Sequence, residues 1–229
     1  MWYCSLVNNT IMINQKFSTQ ITLHNSQPEI FETNFDEFQY TELFKEYCNL
    51  CIAHDQVDKF GLSLRHKHFD LQQGEVALRQ ILSDGIDLFP KVLEDVNDIY
   101  PYIFVLENDE VKVVEYVHSI DEDLSCNDSD YIFFQAVFDL LKKYKLENTL
   151  GIQRLVKLNK SELSSDQGWI ESSHEEKERY ETTRVRSLNN DAELISTLWI
   201  TNVPLMACTL TTRCAKDLWG NHVYKENHK

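Results

Sequence analysis

The chain has 229 residues, of which 42% are hydrophobic and 11% aromatic, with only six Gly and four Pro; this is the composition of a folded core, not of a disordered or low-complexity protein. A formal net charge of −15 and a pI near 4.9 argue against general nucleic-acid binding, since a phosphate backbone repels such a surface unless a basic patch overrides it. The densest cations, Lys142, Lys143 and Lys145, fall at a predicted helix end, and no run approaches the ~18 apolar residues that a membrane span needs.

Taken in order, the opening MWYCSLVNNT has neither a basic start nor a continuous apolar stretch and does not read as a signal peptide. Without that signal the six cysteines, Cys4, Cys48, Cys51, Cys126, Cys208 and Cys214, are expected to be reduced. Trp2–Val7 and Thr10–Phe17 alternate as a strand pair around Asn8-Asn9. Phe35–Ala53 is a predicted helix, capped by Asn34 with Glu37 three residues on, and its apolar stripe runs Tyr40, Phe44, Tyr47, Cys51, His54.

The stretch Phe60–Glu75, FGLSLRHKHFDLQQGE, follows directly. Read as a strand, it puts Phe60, Leu62, Leu64, His66 and His68 on one face and Gly61, Ser63, Arg65 and Lys67 on the other. The two imidazoles thus continue the apolar face while the cations leave it. Val76–Ile81 is a second strand, and Pro90–Ile99 a short helix. Tyr102–Glu107 and Val111–Val117 flank Asn108-Asp109 as a hairpin. Asp121–Asp130 is an acidic loop leading into a second amphipathic helix, Asp130–Lys145, and Thr149–Leu158 returns as a strand. From Ser161 to Glu181 the composition turns to Ser and Glu, the pattern of a loop or insertion. Glu181–Ser187 and Glu193–Thr201 read as strands, and no internal repeat is evident.

Three constellations bear on chemistry. His66 and His68, two apart on a strand, have the geometry to share one metal ion, or to serve as a hydrogen-bonded pair stabilising a strand end. Cys48, Cys51 and His54 lie on neighbouring sides of a helix, where cysteine also serves as a small buried hydrophobe. The tail offers Cys208, Cys214, His222 and His228, a complete tetrahedral donor set for zinc but not at the spacing of the usual finger. A Gly-rich phosphate loop, a GxSxG elbow and an HExxH helix are all missing from the sequence.

FGLSLRHKHFDLQQGE, FVLENDEVKVVEY and LENTLGIQRL together resemble a group of intracellular fungal proteins that share an HKHF-type strand. The likeness runs from Tyr40 to Leu158. It implies that His66 and His68 belong to the defining part of the fold and that the compartment is the cell interior; it implies no activity.

The sequence therefore predicts an α+β fold, a largely antiparallel sheet carrying two or more amphipathic helices. Residues 1–160 form its main domain, 161–181 an acidic loop or insertion, and 182–229 C-terminal strands and a Cys/His tail of the same domain. The expected function is that of a non-catalytic binding or regulatory protein in the cytoplasm, recognising a basic protein partner through Asp121, Glu122 and Asp123, with no cofactor, nucleic acid or membrane. The alternative is a zinc-dependent hydrolase with His66 and His68 as ligands.

Overall fold

A computed structural model describes residues 20–33, 35–120, 124–156, 167–174, 177–187, 193–202 and 207–216. The predicted N-terminal strand pair lies outside them. The first long helix, α1, is Thr41–Ala53, entered through a 3-10 turn at Glu37–Tyr40 that Asp36 caps. The second, α2, is Asp128–Tyr144, closed at its start by a reciprocal Asn127/Asp130 capping box. The first starts six residues later than predicted and buries Phe44, Tyr47 and Cys51 of the expected stripe, with Tyr40 and His54 at its caps. The second is amphipathic as predicted and buries Phe133, Val137, Leu140 and Leu141. The strands are β1 (Phe60–Leu64), β2 (Glu75–Leu82), β3 (Gly85–Val92), β4 (Ile99–Glu107), β5 (Glu110–His118), β6 (Leu150–Arg154), β7 (Gln167–Ser173), β8 (Glu181–Ser187), β9 (Glu193–Asn202) and β10 (Ala207–Lys216).

These strands close into a barrel in the order β1-β6-β4-β5-β2-β3-β8-β7-β10-β9, with β9 returning to β1. The expected α+β fold is thereby corrected. The sheet closes on itself, and it is mixed, because β2–β5 and β7–β10 pair in parallel. The polar residues that alternate along its strands misled the reading: Arg79, Glu115, Glu171 and Thr197 point not to solvent but into a polar interior, where all four are buried. The predicted helix at Pro90 is also strand. Pro90 lies in β3 beyond the last pair with β8, Leu88↔Glu181, where an edge tolerates its missing N–H. Within the Ser/Glu-rich stretch, Gln167–Ser173 forms β7.

The barrel is built from two copies of one unit, helix followed by five strands, contrary to the sequence reading. Exchanging β1–β5 with β6–β10 in the strand order returns the same closed order. Hydrogen bonds repeat at an interval of 90 positions. Gln56 N bonds Cys51 O and Leu146 N bonds Leu141 O; Arg65 N bonds Thr149 O and Leu155 N bonds Lys59 O. Asp55 and Lys145, also 90 apart, end their helices in the left-handed region at φ 56° and 59°. Gly61 and Gly151 occupy one equivalent place, and for one reason. A Cβ at Gly61 would lie 2.8 Å from Trp199 O, and one at Gly151 would lie 2.6 Å from Phe104 O. Trp199 and Phe104 are themselves equivalents, paired with Leu62 and Ile152.

One face of β9, β1, β6 and β4 is covered by both helices. Phe60, Leu62, Phe104, Leu150, Ile152 and Trp199 pack with Phe44, Tyr47, Phe133, Phe134 and Phe138 in the main core. The opposite face of the barrel wall looks inward. Among the described residues no helix is long and apolar enough to cross a membrane.

Candidate metal centre

The interior carries a connected polar network. Arg79 on β2 bonds Glu115 on β5 at 2.6 Å and Glu171 on β7 at 3.0 Å, and its guanidinium lies 5.0 Å from the ring centroid of Tyr102 on β4. Tyr102 OH accepts from Gln153 on β6 at 2.9 Å, and Thr197 on β9 donates to Glu171 Oε2 at 3.1 Å. β2 and β7 are not neighbours in the barrel, so their side chains meet only by crossing its inside. Burial drives the Tyr102 hydroxyl up to about 12, so it remains a neutral donor and acceptor.

Cys214 joins this network because of register. β10 runs parallel to β7 with Cys214 beside Glu171, which puts both side chains on the inward face. The thiol donates to Glu171 Oε2 at 3.1 Å, and its sulfur lies 3.3 Å from His66 Nε2. His66 and His68 come from the segment after β1. The strand ends at Leu64, but Lys67 N bonds Pro28 O and its ammonium turns to Asp70 and Glu29. The two imidazoles sit together with ring centroids 4.7 Å apart. The predicted continuation of one face is corrected: beyond the end of β1 the chain turns them into the barrel interior, away from the helix-covered side that Phe60, Leu62 and Leu64 occupy.

One ligand atom from each of His66, His68, Glu171 and Cys214 lies within 4.8 Å of every other. The side chains are 6%, 1%, 6% and 0% exposed respectively. Metal–ligand bonds of about 2.0–2.3 Å place tetrahedral neighbours roughly 3.3–3.8 Å apart. The observed 3.1 Å from Cys214 Sγ to Glu171 Oε2, 3.3 Å from Cys214 Sγ to His66 Nε2 and 4.0 Å from His66 Nε2 to Glu171 Oε2 bracket that range.

The surroundings prepare these groups. His66 Nδ1 is 2.9 Å from Leu64 O; a carbonyl only accepts, so Nδ1 carries the proton and Nε2 presents its lone pair to the cluster. His68 Nδ1 lies 3.8 Å from Glu181 Oε2, a buried oxygen that accepts no hydrogen bond from the described residues, while Glu181 Oε1 accepts from Ser173. Burial alone would raise the Glu171 carboxyl, but Arg79, His66 and the hydrogen bonds it accepts outweigh this and hold it below the usual carboxylate range. Burial raises the Glu181 carboxyl well above that range, and burial with the charge of Glu171 does the same to the Cys214 thiol. Arg79 supplies one fixed positive charge against three buried carboxyl groups, Glu115, Glu171 and Glu181.

The structure brings His66, His68 and Cys214 together in one cluster. Cys48 and Cys51 are buried on α1 with thiols raised by desolvation, and His54 caps that helix against Phe133. Cys208 lies on β10 six residues before Cys214. His222, His228, Asp121, Glu122 and Asp123 lie outside the described residues. Sequence reasoning missed Glu171 and Glu181. The signal for Glu181 was the predicted strand Glu181–Ser187 that it opens, with the β-branched run TTRV beside it. Comparison with known protein families, curated proteins and solved structures found no match.

Proposed function

We propose that the protein is a metal-binding β-barrel whose interior holds a zinc-class divalent ion on His66 Nε2, His68, Glu171 Oε2 and Cys214 Sγ. The observation that carries this is the convergence of these four ligand atoms within 4.8 Å in a buried place. One thiolate and two imidazoles favour a borderline transition metal over calcium or magnesium, which take oxygen ligands. A divalent ion also offsets the negative charge that Glu115 and Glu171 carry beyond what Arg79, their shared partner, balances.

Four protein ligands with buried side chains form the closed set of a structural centre. A hydrolytic site keeps a coordination position open to water and substrate, so the donor set favours a binding protein over a hydrolase. Cobalt substitution tests the reading. Co²⁺ added to metal-free protein should develop an intense thiolate-to-cobalt absorption that zinc displaces and that Cys214→Ser abolishes. Weak octahedral absorption, unchanged in that variant, would refute the assignment.

A further inference from the structure

The repeat architecture gives the metal ligands unequal tasks. The β9–β10 hairpin pairs within itself from Ala207↔Asn202 to Lys216↔Glu193. Among the described residues its attachments to the rest of the barrel are much shorter. On one side β9 meets β1 through Leu62↔Trp199 and Ser63↔Leu198; on the other β10 meets β7 through Thr212↔Trp169, Arg213↔Ile170 and Cys214↔Glu171.

The equivalent hairpin of the first repeat, β4–β5, is attached in the same way. It meets β6 through Ile103↔Gln153 and Phe104↔Ile152, and β2 through Leu78↔Tyr116, Arg79↔Val117 and Gln80↔His118. The registers make Val117 the counterpart of Cys214, Arg79 that of Glu171, and Val156 that of His66. Their surroundings differ in kind. Val117 is buried in an apolar cluster with Leu23, Tyr102, Val105 and Val114, and Val156 packs against it. At the same place in the second repeat stand a thiol, an imidazole and a carboxylate.

The first hairpin is thus seated by apolar packing around Val117 together with polar contacts complete in themselves, Arg79–Glu115 to β2 and Gln153–Tyr102 to β6. At this point the second hairpin is seated differently: Cys214 touches the main apolar core, but toward the barrel its thiol meets Glu171 and His66, a set of ligand-type groups that an ion can draw together. Cys214 is its contribution to the cluster, while His66, His68 and Glu171 belong to the strands and segment that receive it. Building on the metal-centre reading, we infer that the ion is a clasp: coordination of Cys214 locks the β9–β10 hairpin into the barrel, and metal occupancy controls closure of the seams with β1 and β7. The β4–β5 hairpin stays seated in either state.

Hydrogen exchange on the full wild-type chain, chelator-stripped and then given one equivalent of Zn²⁺, tests this without relying on any variant. Native mass spectrometry of the same samples reports whether the ion binds. The clasp requires amide exchange across residues 193–216 to slow at least tenfold on zinc binding, with residues 99–118 changing far less. Bound zinc with equal protection of both hairpins, or of neither, overturns the clasp and leaves the metal site standing. Absence of zinc binding overturns both.

Discussion

Arg79 and Glu171 hold equivalent positions in the two repeats and meet across the barrel interior at 3.0 Å. Equivalent residues that touch must lie at the axis relating the repeats. Identical charged residues there would repel strongly in a buried setting. Opposite charges at the two positions turn that point into an ion pair, and Arg79 binds Glu115 as well. The pair ties the two halves together and fixes Glu171 Oε1, leaving Oε2 for Thr197, Cys214 and the proposed ion.

Removing the guanidinium therefore costs more than one hydrogen bond. Arg79→Met leaves Glu115 and Glu171 buried without their cation, and loss of one partner of a buried ion pair costs about 3–5 kcal/mol. Chemical denaturation should show the midpoint falling accordingly with the slope retained. A change within 1 kcal/mol, on the order of a surface substitution, would show that the network is not buried as described.

The twin glycines give a second test. Ala at Gly151 would bring a Cβ to 2.6 Å from Phe104 O, and Ala at Gly61 would bring one to 2.8 Å from Trp199 O. A backbone carbonyl in a paired strand cannot step aside like a side-chain tip, so each substitution should cost about 1–3 kcal/mol in strain. Thermal unfolding of the two single variants should show comparable losses. A neutral or stabilising effect at either position would contradict the close strand approach that both repeats share.

The helices and the β4–β5 hairpin were legible because local chemistry specifies them. The stripes of α1 and α2 repeat at helical spacing, and Asn108 and Asp109 adopt the left-handed turn (φ 51° and 61°) that their side chains tolerate. That His66 and His68 point together and away from Lys67 was legible from their two-residue spacing, but their turn into the barrel was not, because the strand that sets the alternation ends at Leu64. Barrel closure was not, because β1–β9 and β3–β8 join residues roughly a hundred or more positions apart and no local signal marks such pairs. The repeat was hidden for a different reason. Its copies keep the backbone and the glycine but exchange the side chains, as Ser63 for Gln153, Leu64 for Arg154 and His66 for Val156. Glu171 was read as a loop acid, and Glu181 was not singled out on its predicted strand, because a polar barrel interior has the same composition as a solvated segment.

The pair Glu75–Arg179 sets a pH dependence of stability. Burial would raise the Glu75 carboxyl, but hydrogen bonds from Arg179 and Gln72 N, and the charge of Arg179, hold it below its ordinary value of 4.5. A carboxyl lowered on folding stabilises the protein above the unfolded-state value, and that contribution is lost as pH falls through the folded-state value. The Tm difference between wild type and Arg179→Gln should thus be constant above about pH 5.5 and shrink as the solution is acidified below 4.5. A difference that grows on acidification would contradict the ion pair.

Zinc stoichiometry tests the central claim most directly. Elemental analysis of the full chain, purified without chelator or affinity metal and dialysed against trace zinc, should give one ion per chain for wild type. Cys214→Ser and His66→Gln should lose it, while Cys48→Ser, which alters a cysteine outside the cluster, should retain it. A metal-free wild-type chain that takes up no zinc and unfolds at the same temperature with and without it would contradict the account.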